Sequence, residues 1–129
     1  MNSDEILQDF LVESNELIDQ ADQDLVALEE SPDDEGILAS IFRTLHTMKG
    51  SCAFLGFGKL EVLAHSGENL LGLLRAGQLT LTTPMTDALL SVLDNMRTAL
   101  TSIEATGAEP DELYAELVER LHALQDPDA

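Results

Sequence analysis

The chain has 129 residues, of which 44% are hydrophobic and 4% aromatic, so it can form one domain with its own core. Twenty-five acidic and six basic side chains give a formal net charge of −19, which argues against binding to nucleic acid or to an anionic membrane. The single cysteine, Cys52, rules out an internal disulfide and is typical of a reducing compartment. No apolar run approaches the ~20 residues of a membrane span, and the N-terminus is acidic where a signal peptide is basic. Together these features predict a cytoplasmic protein, or a part of one, without membrane insertion.

Apolar residues recur at three- and four-residue spacing in the first half of the chain, which predicts two amphipathic helices. The first is expected to begin after Ser3 as its N-cap and to end at Ser31-Pro32-Asp33, which also caps the second. Gly56 is expected to end the second helix. The inward stripes are Leu7, Leu11, Ile18, Ala21, Leu25 and Leu28, followed by Ile37, Leu38, Ile41, Leu45, Met48 and Cys52.

The second half of the chain predicts three more helices. One runs from about Lys59 to Arg75 with Gly77 as its C-cap, and the next starts at Thr83-Pro84. Gly107 and Pro110 separate it from a fifth helix, which is marked by Leu113, Leu117, Leu121 and Leu124. Short loops between long helices favour antiparallel neighbours, so the expected fold is all-α, an up-and-down four-helix bundle with an additional C-terminal fifth helix. The predicted domain covers residues 1–125, and residues 126–129 are expected to begin a linker or tail.

Known enzyme motifs are largely absent, but the segment from Phe42 to Phe57 departs from a generic helix. Gly50 lies inside the helical pattern, where glycine costs ~1 kcal/mol relative to alanine. His46, one turn earlier, lies about 120° from the centre of the apolar stripe, at the boundary between core and solvent. Lys49, three residues after the histidine, can reach the space beside it. This combination makes His46 a candidate for chemistry.

The third helix carries a second polar cluster, which consists of Glu61, His65 and Glu68. Glu68 lies about 100° from the centre of its apolar stripe, so its carboxylate can reach His46 if the two helices are neighbours. A carboxylate that accepts the Nδ1–H bond fixes the imidazole tautomer and leaves Nε2 unprotonated as a nucleophile. A nearby lysine can balance the charge of an incoming phosphoryl group. The cluster therefore favours phosphoryl transfer.

Two motifs resemble a known family. Leu45-His46-Thr47-Met48-Lys49-Gly50-Ser51, continued by Phe54-Leu55-Gly56-Phe57, is similar to the signature of histidine phosphotransfer domains. The run from Leu63 to Leu71, with sequence LAHSGENLL, resembles a helix signature of the N-terminal phosphotransfer domain of CheA-type chemotaxis kinases. The likeness covers essentially the whole chain.

The resemblance implies a function in two-component chemotaxis signalling. The histidine matching His46 is phosphorylated on Nε2 by a kinase ATP-binding domain and passes the group to an aspartate of a CheY-like response regulator. Positions matching Lys49, His65 and Glu68 line the site, and Gly50 is expected to keep the approach to His46 open. The domain itself is expected to hold no cofactor: ATP is used by a kinase domain that these residues do not contain, and Mg²⁺ is expected on the receiver.

Three other interpretations stay open from the sequence. The domain could be a free-standing phosphorelay intermediate that shuttles only between receivers. A non-catalytic helical interaction module is also compatible with the pattern, and in that case replacing His46 would have no effect. A metal site formed by His46, Glu61, His65 and Glu68 is the third, although the di-iron pattern of Glu-x-x-His on two helices is missing.

Overall fold

The structure, a computed structural model, describes residues 2–111 and 114–126, which fold into five α-helices. They are α1 (Ser3–Glu30), α2 (Glu35–Leu55), α3 (Gly58–Arg75), α4 (Thr83–Thr106) and α5 (Ala115–Leu124). Helices α1 and α3 each pack against both α2 and α4, and α5 lies against α3 and α4. The predicted fold class, a four-helix bundle with a fifth C-terminal helix, is confirmed.

The predicted apolar stripes form the core between the four long helices. All predicted stripe residues of α1 and α2 are buried except Leu7 and Ile37, near the beginnings of these helices, which are only partly buried. In α5 the central Leu121 is fully buried. The predicted marker Leu113, and residues 127–129 of the predicted tail, lie outside the described residues. Because α2 and α3 pack side by side, their boundary positions face a common surface.

Three predicted helix starts are wrong by one residue. The N-cap of α1 is Asn2 rather than Ser3, that of α2 is Asp34, and that of α4 is Thr82 rather than Thr83. In each case a neighbouring residue has a competing capping side chain. The residue that caps has extended backbone and accepts a hydrogen bond from the N–H three residues later.

The C-caps of α2 and α3 lie at, or one residue before, the glycines that were predicted to end these helices. Gly56 ends α2 in the left-handed conformation with φ 83°, as predicted. The end of α3 differs slightly, because Ala76 is the C-cap and the left-handed residue, Gly77 with φ 74°, comes one position later. Among the described residues, no helix has the length and apolarity to cross a membrane.

The first turn of α3 is capped by a side chain from a distant part of the chain. The N-cap residue Phe57 provides no side-chain hydrogen bond. Instead the carboxylate of Glu109, in the connection between α4 and α5, accepts hydrogen bonds from the backbone N–H of Leu60 at 3.0 Å and of Lys59 at 3.4 Å. The Lys59 ammonium in turn donates to the carbonyl oxygen of Pro110 at 3.2 Å. This connection therefore holds the beginning of α3 in place.

We expect Glu109→Gln to lower the free energy of unfolding by about 1 kcal/mol, because it removes a negative charge from the positive end of α3 and weakens a capping bond. The measurement is urea unfolding followed by circular dichroism. Glu104→Gln, an exposed position on α4, is the matched control and should change the stability little. Equal stabilities of the two variants would contradict the capping role of Glu109.

Candidate functional site

The centre of the site is a hydrogen bond between α2 and α3. Nδ1 of His46 lies 3.1 Å from Oε1 of Glu68, so the two residues paired by helical phase meet across the helix interface. The side chain of His46 is 63% exposed, whereas that of Glu68 is 10% exposed. The sequence pattern placed both side chains at a boundary. In the structure only the imidazole is largely open to solvent.

Lys49 compensates the charge of the buried carboxylate. Its Nζ lies 3.1 Å from Oε1 and 2.9 Å from Oε2 of Glu68, and the approach to Oε2 is an ion-pair contact without a directed hydrogen bond. The Lys49 side chain is 26% exposed. A buried carboxylate without a partner is costly, and the ammonium removes most of that cost.

The balance of these effects keeps Glu68 ionised. Burial acts to raise the pKa of its carboxyl group, but the hydrogen bonds from Lys49 and His46 and their positive charges outweigh burial, so the pKa lies below its ordinary value. An ionised carboxylate has no proton to donate. Nδ1 of His46 must therefore carry the hydrogen in this bond, and in the neutral ring Nε2 then has a free lone pair.

Gly50 and His65, the other predicted site residues, differ in their surroundings. A Cβ atom placed on Gly50 would meet no atom within 4 Å, so the surface one turn beyond His46 is open. His65 is exposed on α3, one turn before Glu68, and makes no hydrogen bond or ion pair with the described part of the chain. The hydrogen-bonded cluster thus consists of His46, Lys49 and Glu68, and His65 lies beside it.

Other candidate chemistry has less support. Burial first, and then the charges of Glu109 and Glu61, raises the pKa of Cys52 to about 12, so this buried thiol is not a nucleophile at neutral pH. Within residues 2–111 and 114–126, no three His, Cys, Asp or Glu side chains are placed to share a metal ion. The Lys49 ammonium also lies against the Glu68 carboxylate, where a metal ion would have to bind.

Two residues without a predicted role, Phe42 and Arg75, extend the site. The rings of Phe42 and His46 are stacked, with centroids 6.2 Å apart and planes inclined by 7°. The guanidinium carbon of Arg75 lies 4.8 Å from the centroid of the Phe42 ring. The four-residue spacing of Phe42 and His46 predicts a contact on one helix face. The approach of Arg75 depends on the register between α2 and α3, which no local pattern encodes.

Similar proteins are chemotaxis kinases. The sensor histidine kinase CheAY of Helicobacter pylori is 43% identical over 105 residues, which is 81% of this chain and 13% of that protein. The chemotaxis protein CheA of Halobacterium salinarum is 33% identical over 123 residues, 95% of this chain and 18% of that protein. The chain thus spans less than a fifth of the length of these two relatives.

A solved structure agrees with these matches over nearly the whole fold. The phosphorylated P1 domain of CheA3 in complex with CheY6 from R. sphaeroides superimposes with a TM-score of 0.86 at 28% identity. The match covers 95% of this chain and 96% of that chain. The Hpt domain family matches residues 5–126, which include α2, α3 and the His46–Glu68 pair. The chain therefore belongs to the histidine phosphotransfer (Hpt) domain family.

Proposed function

We propose that this domain carries a phosphoryl group on Nε2 of His46 in cytoplasmic chemotaxis signalling. It accepts the group from the ATP-binding domain of a histidine kinase and passes it to an aspartate of a CheY-like response regulator. The observation that carries the proposal is the exposed imidazole whose Nδ1 is bound to a buried, ionised Glu68. The phosphorylated relative found in complex with CheY6 supports the choice of partner.

Phosphorylation needs only the nucleophile and its orientation from this chain. The Nε2 lone pair attacks the γ-phosphorus of ATP held by the kinase domain, an N–P bond forms, and ADP leaves. The ring becomes a phospho-imidazolium that retains its Nδ1 hydrogen. Glu68 stabilises this cation through the same hydrogen bond, in the way that a carboxylate supports a charged histidine in acyl-transfer sites.

Transfer to the receiver uses the same site, but the imidazole is now the leaving group. A carboxylate oxygen of the receiver attacks phosphorus, the N–P bond breaks, and neutral imidazole leaves with its hydrogen still on Nδ1. The domain needs no cofactor of its own in this scheme: ATP binds on the kinase domain, and Mg²⁺ on the receiver. Lys49 supplies a positive charge beside the approaching phosphoryl group while it remains bound to Glu68.

The surface next to His46 suits a docking partner. Gly50 and Phe54 follow His46 at one-turn intervals on α2, and Phe54 is 80% exposed. A cleft of about 330 Å³ between α1 and α2 lies beside them, lined in part by Ile6, Phe10 and Leu55. An exposed phenylalanine beside an open cleft is the kind of apolar anchor that protein interfaces use. We infer that the receiver docks here.

The proposal is tested by phosphorylating the domain with a CheA-type kinase domain and ATP and recording its phosphorus NMR spectrum. We expect one phosphohistidine signal that is stable in base and lost in acid, and its loss when a CheY-like receiver and Mg²⁺ are added. A domain that stays unlabelled under these conditions, or a label that no receiver removes, would overturn the proposed function.

Glu68→Gln should leave the bundle folded and slow phosphorylation by about 10- to 100-fold, the factor that corresponds to losing one hydrogen bond to a charged group. The neutral amide no longer holds the hydrogen on Nδ1 as firmly, so the population of the Nε2–H tautomer should rise. Nitrogen NMR of the imidazole measures the tautomer, and labelling kinetics measure the rate. The matched control is Glu61→Gln, the same change two turns earlier on α3, which should alter neither.

The Glu68→Gln variant should also change how the stability of the domain depends on pH in the acid range. Because the pKa of Glu68 in the folded state lies below its ordinary value, its ion pairs contribute stability that is fully present above that ordinary value. This contribution is lost as pH falls through the lowered pKa. The Glu68→Gln variant should therefore show a shallower loss of stability below about pH 4.5 than the parent chain. Identical acid unfolding curves would contradict the ion pairing.

A further inference from the structure

The imidazole of His46 has two contacts of different kind. One is the hydrogen bond from Nδ1 to Glu68, and the other is the ring stack on Phe42, with planes only 7° apart. A hydrogen bond at one ring atom leaves the ring free to tilt about that point. A stacked aromatic neighbour restricts the plane of the ring. Since 63% of the His46 side chain is exposed, few other contacts can do this.

The ring of Phe42 lies against two residues of α3. The edge of its ring lies beside Gly72, where an added Cβ atom would be 3.7 Å from Cε2. The Arg75 guanidinium lies 4.8 Å from the ring centroid, within the range of a cation–π contact. Arg75 is one of six basic residues in a chain of net charge −19, yet it makes no ion pair with a carboxylate among the described residues. The Arg75 guanidinium contacts the aromatic ring of Phe42.

We propose that Phe42, held by Arg75, is a positioning residue for His46. The inference rests on the proposed function, because it concerns the same imidazole. Glu68 fixes which nitrogen carries the hydrogen, and Phe42 fixes the plane in which Nε2 is presented to phosphorus. The barrier to phosphoryl transfer is sensitive to such alignment, so a ring that tilts freely reacts more slowly.

The test compares Phe42→Leu, which keeps an apolar side chain but removes the aromatic face, with Phe42→Tyr, which retains that face. Phosphoramidate is the phosphoryl donor, because this small molecule reports on the histidine itself and not on docking of a kinase domain. We expect Phe42→Leu to slow labelling by about two- to tenfold and Phe42→Tyr to restore the parent rate. Arg75→Gln should have a smaller effect in the same direction. Val26→Ala, a change of an apolar side chain on α1 that is 63% exposed, is the control and should label normally with this donor.

A second readout separates positioning from mere packing. NMR relaxation of the carbon–hydrogen bonds in the His46 ring should show greater ring motion in Phe42→Leu and parent-like motion in Phe42→Tyr. This measurement needs no phosphoryl donor, so it tests the positioning of the ring even if the proposed function fails. An unlabelled parent chain would overturn the proposed function. Unchanged ring motion, or an unchanged labelling rate in Phe42→Leu beside a labelled parent, would overturn the role of Phe42.

Discussion

His46→Gln should abolish phosphorylation completely while the helical circular dichroism and the melting temperature stay close to those of the parent chain. The loss is complete because glutamine has no nitrogen lone pair that can serve as the nucleophile. The fold should survive because the imidazole is 63% exposed. Glu68 keeps its ion pair with Lys49 in the variant, so no buried charge is left uncompensated.

The remaining two histidines provide the controls for this variant. His65→Gln and His122→Gln change exposed side chains and should both leave labelling of His46 in place. Mass spectrometry of the labelled parent chain should locate a single phosphoryl group on the peptide that contains His46. Label that persists in His46→Gln, on either of the other histidines, would contradict the assignment. If neither the parent chain nor His46→Gln takes up label, a non-catalytic interaction module is supported instead.

The pairing of His46 with Glu68 could be predicted because it depends only on helical phase and on which helices are neighbours. Both residues lie at the edge of an apolar stripe, and consecutive antiparallel helices bring such edges together. The burial of Glu68 could not be predicted from its own helix. It arises because His46 and Lys49 of α2 cover the carboxylate and make its burial tolerable, which is a property of the packed pair of helices.

Contacts between distant segments of the chain could not be predicted from the sequence patterns. The cap on α3 joins Glu109 to Leu60, 49 residues earlier in the chain, and nothing near either residue indicates the other. The contact of Arg75 with Phe42 likewise requires the register of α3 against α2. By contrast, the errors at Ser3 and Thr83 are local, since an adjacent residue caps equally well and the backbone conformation selects between them.

A glycine inside a helix can keep a surface open for a partner or allow another helix to approach closely, and the structure excludes the second explanation for Gly50. If Gly50 allowed another helix to approach closely, an added side chain would overpack the contact. That interpretation is wrong, because a Cβ atom on Gly50 meets nothing within 4 Å. Close approach is instead the property of Gly67 on α3, where a Cβ atom would lie 2.9 Å from Cδ1 of the buried Leu45. Gly50 thus lowers helix propensity without a packing reason, and its role in partner access to His46 stays a prediction.

Gly50→Leu should therefore keep the bundle folded and raise its stability by up to about 1 kcal/mol through better helix propensity. Phosphoryl transfer between His46 and a receiver should nevertheless fall by about 100-fold, because a branched side chain one turn away displaces the partner from the short approach that the reaction requires. Thermal melting and transfer kinetics on one sample measure both effects. Gly58→Leu is the matched control, since its added Cβ also enters open space but at the beginning of α3, and it should transfer normally. A stable Gly50→Leu variant that transfers at the parent rate would show that the partner does not approach over the open surface beside His46. An unstable variant would contradict the finding that a side chain at position 50 meets no neighbouring atoms.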